Sequence, residues 1–232
     1  MRIAVLSDIH GNAVALDACL ARLDRLDVDE RVFLGDVVGY LPEEVACLRA
    51  LRAEGFLCQQ GNHEAMLLAG AGTDDADPVY GHAAAAWRLG ADGMRTLAAW
   101  PLARAIEDAG RRVLFVHGAP GDPLEGRVYP DADLAGWDEL GYDAVFMGHT
   151  HRPFARRAGD VLVANPGSVG LPRDAGSLAS FAVFDTGTGD CVHVRVPFDA
   201  AEVVRRAGPG LHPAMVAVLH RPREGVVGEV LA

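Results

Sequence analysis

The sequence predicts an α/β protein in which two β-sheets pack together between helices. Two patterns indicate this class: the first part of the chain alternates short apolar runs with amphipathic segments, and the later part is a series of short strand candidates joined by turns. The third observation is a length of 232 residues without a low-complexity linker. We therefore expect residues 1–232 to form a single domain.

In the first part of the chain, apolar spacing and helix-end signals define strand–helix units. Leu16, Leu20 and Leu23 share one face of the first helix, while Pro42 opens the second helix and Gly55 follows its end. The predicted elements are strands 2–6, 31–34 and 56–60 and helices 13–26 and 42–54. Helical crossovers between successive strands imply a parallel sheet here.

The pattern weakens from residue 65 to residue 109, and we interpret this segment as a helical cap-like insertion. Ala-rich stretches predict helices at 82–89 and 93–100, followed by Pro101 and a strand. The elements predicted beyond it are strands 112–116, 144–147, 154–158, 161–164, 180–185 and 191–197 and helices 200–207 and 213–219. Because turn-forming residues separate most of these strands, we expect the later half to be antiparallel.

Charge and composition exclude several classes of function. The chain has 32 acidic and 21 basic residues, and its formal net charge of −11 argues against non-specific binding to nucleic acid or to an anionic membrane. Every basic residue is Arg, which excludes mechanisms that need a lysine, such as a P-loop or a Schiff base. No apolar run is long enough to span a bilayer, and the N-terminal apolar stretch is too short for a signal peptide, so we expect a cytoplasmic protein.

Side chains that bind metals recur directly after the predicted strands. They are Asp8, His10, Asp36, Asn62, His63, His117, His149 and His151. In α/β sheets, ligands bind outside the carboxyl ends of the strands, so these separate positions are expected to meet in one crevice. A glycine accompanies each cluster, which lets the backbone turn sharply and approach an ion or a phosphate closely.

The mixture of imidazole and carboxylate ligands favours Mn, Fe or Zn over Ca. About seven candidate ligands make two metal ions more plausible than one, with Asp36 as the bridging carboxylate and a bridging hydroxide as the nucleophile for in-line attack at phosphorus. The four cysteines have no Cys-X-X-Cys pairing, so we expect reduced, buried thiols rather than disulfides or a zinc cluster: Cys19, Cys47, Cys58 and Cys191.

Each cluster also has a purely structural alternative. Asp8 and Asn12 are favoured helix caps, Asp36 and Asn62 are favoured turn residues, and His117 is compatible with a hydrogen-bonded histidine at a strand end. All of these explanations would have to hold together for the chain to lack a site. The combined pattern therefore favours an active site.

In order and residue type, these motifs resemble the calcineurin-like metallophosphoesterases. The matching segments are Asp8-Ile9-His10, Gly35-Asp36, Gly61-Asn62-His63-Glu64, Val116-His117-Gly118 and Gly148-His149-Thr150-His151. The resemblance implies a four-layer αββα sandwich of two mixed β-sheets flanked by helices. It also implies that one metal is held by Asp8, His10, Asp36 and His151, and the other by Asp36, Asn62, His117 and His149. His63 is implied to lie beside the leaving-group oxygen, with Glu64 orienting it or the loop, or simply starting a helix.

Departures from the family pattern favour one branch. In protein Ser/Thr phosphatases and the related symmetrical diadenosine tetraphosphatases, an Asp-Arg-Gly follows the Gly-Asp motif and an Arg precedes Gly-Asn-His-Glu. This chain has Val37-Val38-Gly39 and Gln60 instead. The segment 165–170, Asn-Pro-Gly-Ser-Val-Gly, is similar to the compact bacterial and archaeal phosphodiesterases, and we expect it to form a loop that supports the site.

The expected function is hydrolysis of a phosphodiester or phosphomonoester, of nucleotide type, by metal-hydroxide attack, with His63, Asp36 and Asn62 as catalytic residues. The alternatives are a dinucleoside polyphosphate hydrolase, a Ser/Thr-type protein phosphatase and, from another class, a non-catalytic metal-binding scaffold. The oligomeric state stays open, with a homodimer as one option.

Residues that contact the substrate are the least defined part of the prediction. Arg173 and Arg152 are phosphate-binding candidates, with a structural or surface role as the alternative. The insertion offers Tyr80, His82, Trp87 and Arg88. We expect Trp87 and Trp100 to be core residues of their helices. His82, His193, His212 and His220 belong to no motif, and we interpret them as structural or exposed.

Overall fold

Two mixed β-sheets lie face to face at the centre of the computed structural model, which describes residues 1–70 and 77–230. The first sheet has six strands: β1 (Arg2–Leu6), β2 (Glu30–Phe33), β3 (Leu57–Cys58), β9 (Leu178–Asp185), β10 (Asp190–Pro197) and β11 (Glu229–Val230). The second sheet has five strands: β4 (Ala103–Asp108), β5 (Arg111–Val116), β6 (Ala144–Phe146), β7 (Phe154–Ala158) and β8 (Val161–Asn165). The predicted fold class is confirmed.

The helices of the described residues are mostly short. They are α1 (Ala13–Leu23), α2 (Glu44–Ala53), α3 (Asn62–Leu68), α4 (Asp77–Tyr80), α5 (His82–Ala98), α6 (Ala200–Ala207) and α7 (Pro213–Leu219). Apolar side chains of α1, α2 and α5 pack in one core with the outer face of the first sheet. The outer face of the second sheet is covered by the connection between β5 and β6, which contains a 3₁₀ helix at Trp137–Leu140.

Strand β1 illustrates how the sequence builds these layers. Ala4 and Leu6 belong to the core beneath the helices, whereas Ile3 and Val5 belong to the core between the two sheets. This alternation follows from the two-residue period of a strand, because successive side chains point to opposite faces. From Ile3 to Leu6, β1 is therefore apolar, as expected of a strand that is covered on both sides.

The order and direction of the strands place the predicted metal ligands at one edge of each sheet. β1 pairs with β2, and β2 with β3, in parallel, so their carboxyl ends meet at the same edge of the first sheet. β5 and β6 are also parallel, which brings the segments after them to one edge of the second sheet. The residues that follow these strands are the predicted metal ligands.

Several expectations about the elements need correction. The antiparallel order expected in the later half is wrong for the centre of the second sheet, where β5–β6 and β6–β8 are parallel. Strand direction is set there by the long connection after β5 and by the β7–β8 hairpin, which strand composition does not reveal. The first helix ends at Leu23 instead of residue 26, and the second begins at Glu44, so Pro42 precedes it.

The predicted insertion at 65–109 contains α4, α5 and β4, and its residues 71–76 lie outside the described residues. The two helices predicted at 82–89 and 93–100 correspond to the two helical parts of α5, which are separated by non-helical dihedral angles at Gly90. All four cysteines have free thiols, of which only Cys191 is half-buried rather than buried. No helix in the described part of the chain combines the length and apolar character that a bilayer span requires.

Candidate metal centre

The backbone at the strand ends is held in an uncommon conformation. Asp8, His10, Asp36, His149 and His151 all have positive φ, between 51° and 65°. An L-residue in this left-handed region costs roughly 1–2 kcal/mol, and such residues cluster at functional sites. Here the loops after β1 and β2 brace each other, because the amide of Asp8 donates to the carbonyl of Gly35 at 3.0 Å and that of His10 to the carbonyl of Asp36 at 2.9 Å.

A first group of ligand atoms comes from Asp8, His10 and His151, all buried and all within 4.8 Å of one another. Nδ1 of His10 donates to the carbonyl oxygen of Val38 at 2.9 Å, and Nδ1 of His151 donates to that of Leu171 at 2.7 Å. A neutral imidazole has one N–H, so in both rings Nε2 carries a lone pair. These two Nε2 atoms face each other at 3.1 Å.

Two facing lone pairs repel, and burial disfavours a proton between them. Burial lowers the pKa of His10 well below its ordinary value and that of His151 to about 3. Oδ1 of Asp8 lies 3.4 Å from Nε2 of His151 and has no hydrogen-bond partner among the described residues. A cation between these atoms satisfies all three, so the group fits a metal ion.

The second group is formed by Asp36, His117 and His149. Nε2 of His117 lies 3.0 Å from Oδ1 of Asn62 and 3.3 Å from Oδ2 of Asp36. Within the described residues, Nε2 of His149 is buried and has no partner. Burial opposes charge on both Asp36 and His117, but the two attract each other, so the pKa of Asp36 stays well below its ordinary value and that of His117 rises to about 9. This is a donor set suited to a divalent cation.

Asp36 lies between the two groups. Its Oδ2 is 3.7 Å from Nε2 of His10 and 3.3 Å from Nε2 of His117, and its Oδ1 accepts from the amide of His63 at 2.9 Å. A third, overlapping group consists of His10, Asp36 and a ring nitrogen of His63. The predicted ligands are thus brought together, with the bridging candidate at the centre.

Glu64 holds the loop that carries Asp36. Its carboxylate accepts from the amides of Asp36 at 2.7 Å, Val37 at 2.8 Å, Val38 at 3.2 Å and Gly61 at 2.7 Å. The last of these bonds caps α3, so both roles considered for Glu64 occur together. The loop geometry therefore depends on a residue one turn into the next helix.

Other neighbours of the ligands have structural duties. Asn12 caps α1 by accepting from the amide of Ala15 at 3.0 Å, whereas Asp8 points into the first ligand group. In the loop 165–170, Asn165 donates to the carbonyl of Gly148 at 2.6 Å, and the hydroxyl of Ser168 donates to the carbonyl of Asp8 at 2.7 Å. This loop therefore supports the backbone of the ligand-bearing segments, as predicted.

A pocket of about 250 Å³ opens above the ligand groups. It is lined by Asp36, Tyr40, Asn62, His63, Met66, Tyr80, Arg127, Tyr129, His149, Thr150, His151 and Arg173. Arg173 is half-buried, and its Nε has no hydrogen-bond partner among the described residues. Arg152, the other predicted phosphate ligand, is exposed and does not line this pocket.

The substrate-contact candidates from the insertion lie in different environments. Tyr80 lines the pocket, and His82 is buried with its Nε2 3.0 Å from Nδ1 of His63. Arg88 pairs with Glu44 at 2.6 Å. The expectation that Trp87 is a core residue is wrong, because 84% of its surface is exposed: it lies on the face of α5 opposite to Ala85 and Leu89.

Sequence reasoning missed several pocket residues. Tyr40 has a positive φ of 70° and its ring contacts that of His10 at 4.8 Å, and its proximity to Asp36 in the chain was the available signal. Arg127 and Tyr129 belong to the long connection after His117. The length of that segment was the only feature of the sequence that indicated a part in substrate binding.

Comparison with known proteins shows the family of this chain. A family model for the calcineurin-like phosphoesterase superfamily domain matches residues 1–189. An uncharacterized protein of Methanocaldococcus jannaschii is 32% identical over 218 residues, covering 85% of this chain and 88% of its own length. Phosphodiesterase YfcE of Escherichia coli is 24% identical over 195 residues, covering 80% of this chain and 88% of its own. The crystal structure of a metallophosphoesterase from Sphaerobacter thermophilus is 29% identical, with a TM-score of 0.78, covering 94% of this chain and 98% of that one.

Proposed function

This chain belongs to the calcineurin-like phosphoesterase superfamily and is a metallophosphoesterase, and on that basis we propose that it binds two metal ions and hydrolyses phosphodiesters of nucleotide type. The observation that carries the proposal is the pair of facing Nε2 atoms of His10 and His151, with Asp36 between them and the second ligand group. Such an arrangement is unfavourable without cations and well suited to them.

We assign one ion to Asp8, His10, Asp36 and His151, and the other to Asp36, Asn62, His117 and His149. The imidazole and carboxylate donors favour Mn, Fe or Zn. The bound ions supply Lewis acidity and lower the pKa of coordinated water. Hydrogen bonds to Val38 and Leu171 fix the ring orientation of His10 and His151, which presents their Nε2 atoms to the first ion.

His63 serves the leaving group in this proposal. Burial lowers the pKa of His63 to about 4, so the ring is neutral at neutral pH and stabilises the developing alkoxide through an N–H. Asp36 fixes the backbone of His63 through the bond from its amide. The same carboxylate thus couples the position of the metal ions to the position of His63.

The pocket wall binds the phosphate and its substituents. Arg173 lines the pocket, and its guanidinium is suited to donate hydrogen bonds to a phosphate oxygen. Tyr80 and Tyr129 offer aromatic surface for a base or an aryl group. We treat 1–232 as one catalytic domain in which the 65–109 insertion contributes Met66 and Tyr80 to substrate selection.

Two observations support diesters over protein phosphomonoesters. YfcE, a relative across most of the chain, is named a phosphodiesterase. The two arginines expected of a Ser/Thr-type protein phosphatase are replaced by Val38 and Gln60, and Gln60 donates to the carbonyls of Leu97 and Trp100 rather than entering the pocket. Within this class, cyclic or linear nucleotide diesters come first and dinucleoside polyphosphates second.

The test is metal-dependent hydrolysis of bis-p-nitrophenyl phosphate against p-nitrophenyl phosphate. Metal-stripped protein is reloaded with manganese, Asp36→Asn serves as the inactive variant, and Asp27→Asn changes an exposed carboxylate as the matched control. Faster diester cleavage, lost in Asp36→Asn alone, supports the proposal. Faster monoester cleavage points to a phosphatase instead. No metal-dependent cleavage of either ester would contradict the proposal and leave a very selective enzyme or the scaffold function.

A further inference from the structure

His82 lies outside every sequence motif but contacts the catalytic histidine candidate. It is the first residue of α5 and follows Gly81, which has a φ of 68°. The side chain is 1% exposed. Its Nε2 and Nδ1 of His63 share a hydrogen bond of 3.0 Å, and the two ring centroids are 5.1 Å apart.

The edge of His63 that carries Nδ1 is enclosed on a second side by the loop after Asp36. A Cβ atom added to Gly39, whose φ is 88°, would lie 2.4 Å from Nδ1 of His63. Tyr40 and Tyr80 contact the His63 ring at centroid distances of 4.9 and 5.1 Å. Packing therefore restricts the tilt of the ring, while the bond to His82 selects between its two flipped orientations.

We propose that His82 is a positioning residue for His63, fixing the rotation and the tautomer of its ring so that Nε2 faces the substrate pocket. This inference rests on the proposed function, because it assigns His82 a part in leaving-group departure. A neutral imidazole has a single N–H. When Nδ1 of His63 accepts the hydrogen bond from His82, that proton is on Nε2, and Nε2 is the atom that can donate to the leaving group. Partners of this kind tune a histidine without touching the substrate.

A purely structural histidine at the start of α5 is the competing explanation. The two explanations differ in what a substitution does to His63. Loss of a structural residue lowers stability or metal content and affects all substrates alike. Loss of a positioning residue lowers turnover most for poor leaving groups, whose developing negative charge depends most on the hydrogen bond from His63, and it has no effect once His63 is gone.

The first experiment compares His82→Ala, His82→Gln, His63→Asn and the double variant His82→Ala/His63→Asn. The substrates are the p-nitrophenyl and phenyl esters of thymidine 5′-phosphate, since phenolate is the poorer leaving group. We expect His82→Ala to lower kcat about tenfold for the phenyl ester, less for the p-nitrophenyl ester, with KM within about twofold and metal content unchanged. His82→Gln, which keeps a polar group near the position of Nε2, should recover most of the loss, and the double variant should match His63→Asn.

The second experiment reads the His63 ring directly in metal-free protein by ¹⁵N histidine NMR. The His63 signals are identified by their absence in His63→Asn, and His220→Ala, a change at an exposed histidine, is the control. We expect His82→Ala to shift both ring nitrogens of His63 and His220→Ala to leave them unchanged.

Unchanged His63 signals in His82→Ala would overturn the inference. An equal loss of turnover on both esters, the same loss in the His63→Asn background, or a fall in metal content would do so too. Failure of the proposed function is separate: it requires that the parent protein cleave neither ester, whereas a parent that cleaves both, slowed by His63→Asn but not by His82→Ala, contradicts this inference alone.

Discussion

The pocket has a floor and a wall that the chain builds in different ways. The floor consists of the ligand candidates Asp8, His10, Asp36, Asn62, His117, His149 and His151, and the wall of Met66, Tyr80, Arg127, Tyr129 and Arg173. The floor residues lie in the loops that follow strands or, for Asn62, at the start of α3, and five have left-handed backbone that hydrogen bonds between loops hold in place. The wall comes from α3, α4, the long connection after β5 and, for Arg173, the segment between β8 and β9. None of these five residues has a positive φ, whereas Tyr40, which also lines the pocket beside Asp36, does. The floor therefore fixes the chemistry, and the wall is free to fix the substrate.

Asp36→Asn is the variant from which we expect the largest effect, because it changes the chemistry of the floor and leaves the wall intact. This change keeps the shape of the side chain and removes the charge that lies between the two ligand groups. We expect turnover to fall by about 10³-fold and the metal bound per chain to fall as well, because a bridging position needs a carboxylate. Elemental analysis together with diester hydrolysis measures both. Full metal content with full activity would show that Asp36 is not part of the centre.

Next in size is the effect of Glu64 on stability. Glu64→Ala leaves four backbone amides, those of residues 36–38 and 61, without their buried acceptor and should lower the free energy of unfolding by about 3 kcal/mol. Glu64→Gln retains one acceptor oxygen and should cost about half as much. Urea denaturation of the metal-free proteins gives both values. Identical midpoints for the parent and Glu64→Ala would mean that the loop geometry does not depend on this carboxylate.

The contrast between floor and wall also explains what the sequence could predict. The floor residues follow recognisable strands and carry metal-binding groups, so local pattern was enough to name them and to place them together. Asn12, for which a cap was considered, does cap α1. The direction of the central strands in the second sheet was not predictable in this way, because it is set by connections and not by the residues of the strands.

Wall residues and His82 depend on contacts across the fold that no local pattern encodes. His82 is separated from His63 by 19 positions and reaches it only because α5 starts beside the loop after Asp36. Arg152 and Arg173 looked equivalent as phosphate ligands, yet only Arg173 lines the pocket. At these positions a single sequence shows which side chain is present, but it does not show where that side chain points.

Gly39→Ala tests how tightly the loop after Asp36 packs against the His63 ring. The new methyl group would meet Nδ1 of His63 at 2.4 Å, so we expect turnover to fall about tenfold and stability by roughly 1–2 kcal/mol from the left-handed backbone. Gly55→Ala is the matched control, since Gly55 has a φ of 70° but open space around its Cα. Steady-state kinetics and urea denaturation of the pair separate displacement of His63 from backbone strain. Equal turnover in the two variants would contradict the proposed sensitivity of the His63 ring.

The wall is tested by the two arginines. Arg173→Gln should raise KM for the diester about tenfold with kcat within about twofold, because a charge-assisted bond to phosphate is lost while the floor is intact. Arg152→Gln, at an exposed position away from the pocket, should change neither constant. Michaelis–Menten analysis at fixed metal concentration provides the measurement. A larger effect on kcat than on KM for Arg173→Gln would move this residue from substrate binding into the chemical step.

The smallest effect is expected at Trp87, which lies in the insertion but belongs to neither the floor nor the wall. In the part of α5 before Gly90, the buried residues Ala85 and Leu89 are four positions apart, which places Trp87 on the opposite, solvent-facing side. Trp87→Gln should therefore leave diester hydrolysis unchanged and the free energy of unfolding within about 0.5 kcal/mol of the parent. Leu89→Ala, on the buried side of the same helix, is the contrasting variant and should cost about 2–3 kcal/mol. Urea denaturation compares the two. If Trp87→Gln proved as damaging as Leu89→Ala, the side chain would be covered in solution, and the insertion would have a second packed face besides the one that supports the pocket.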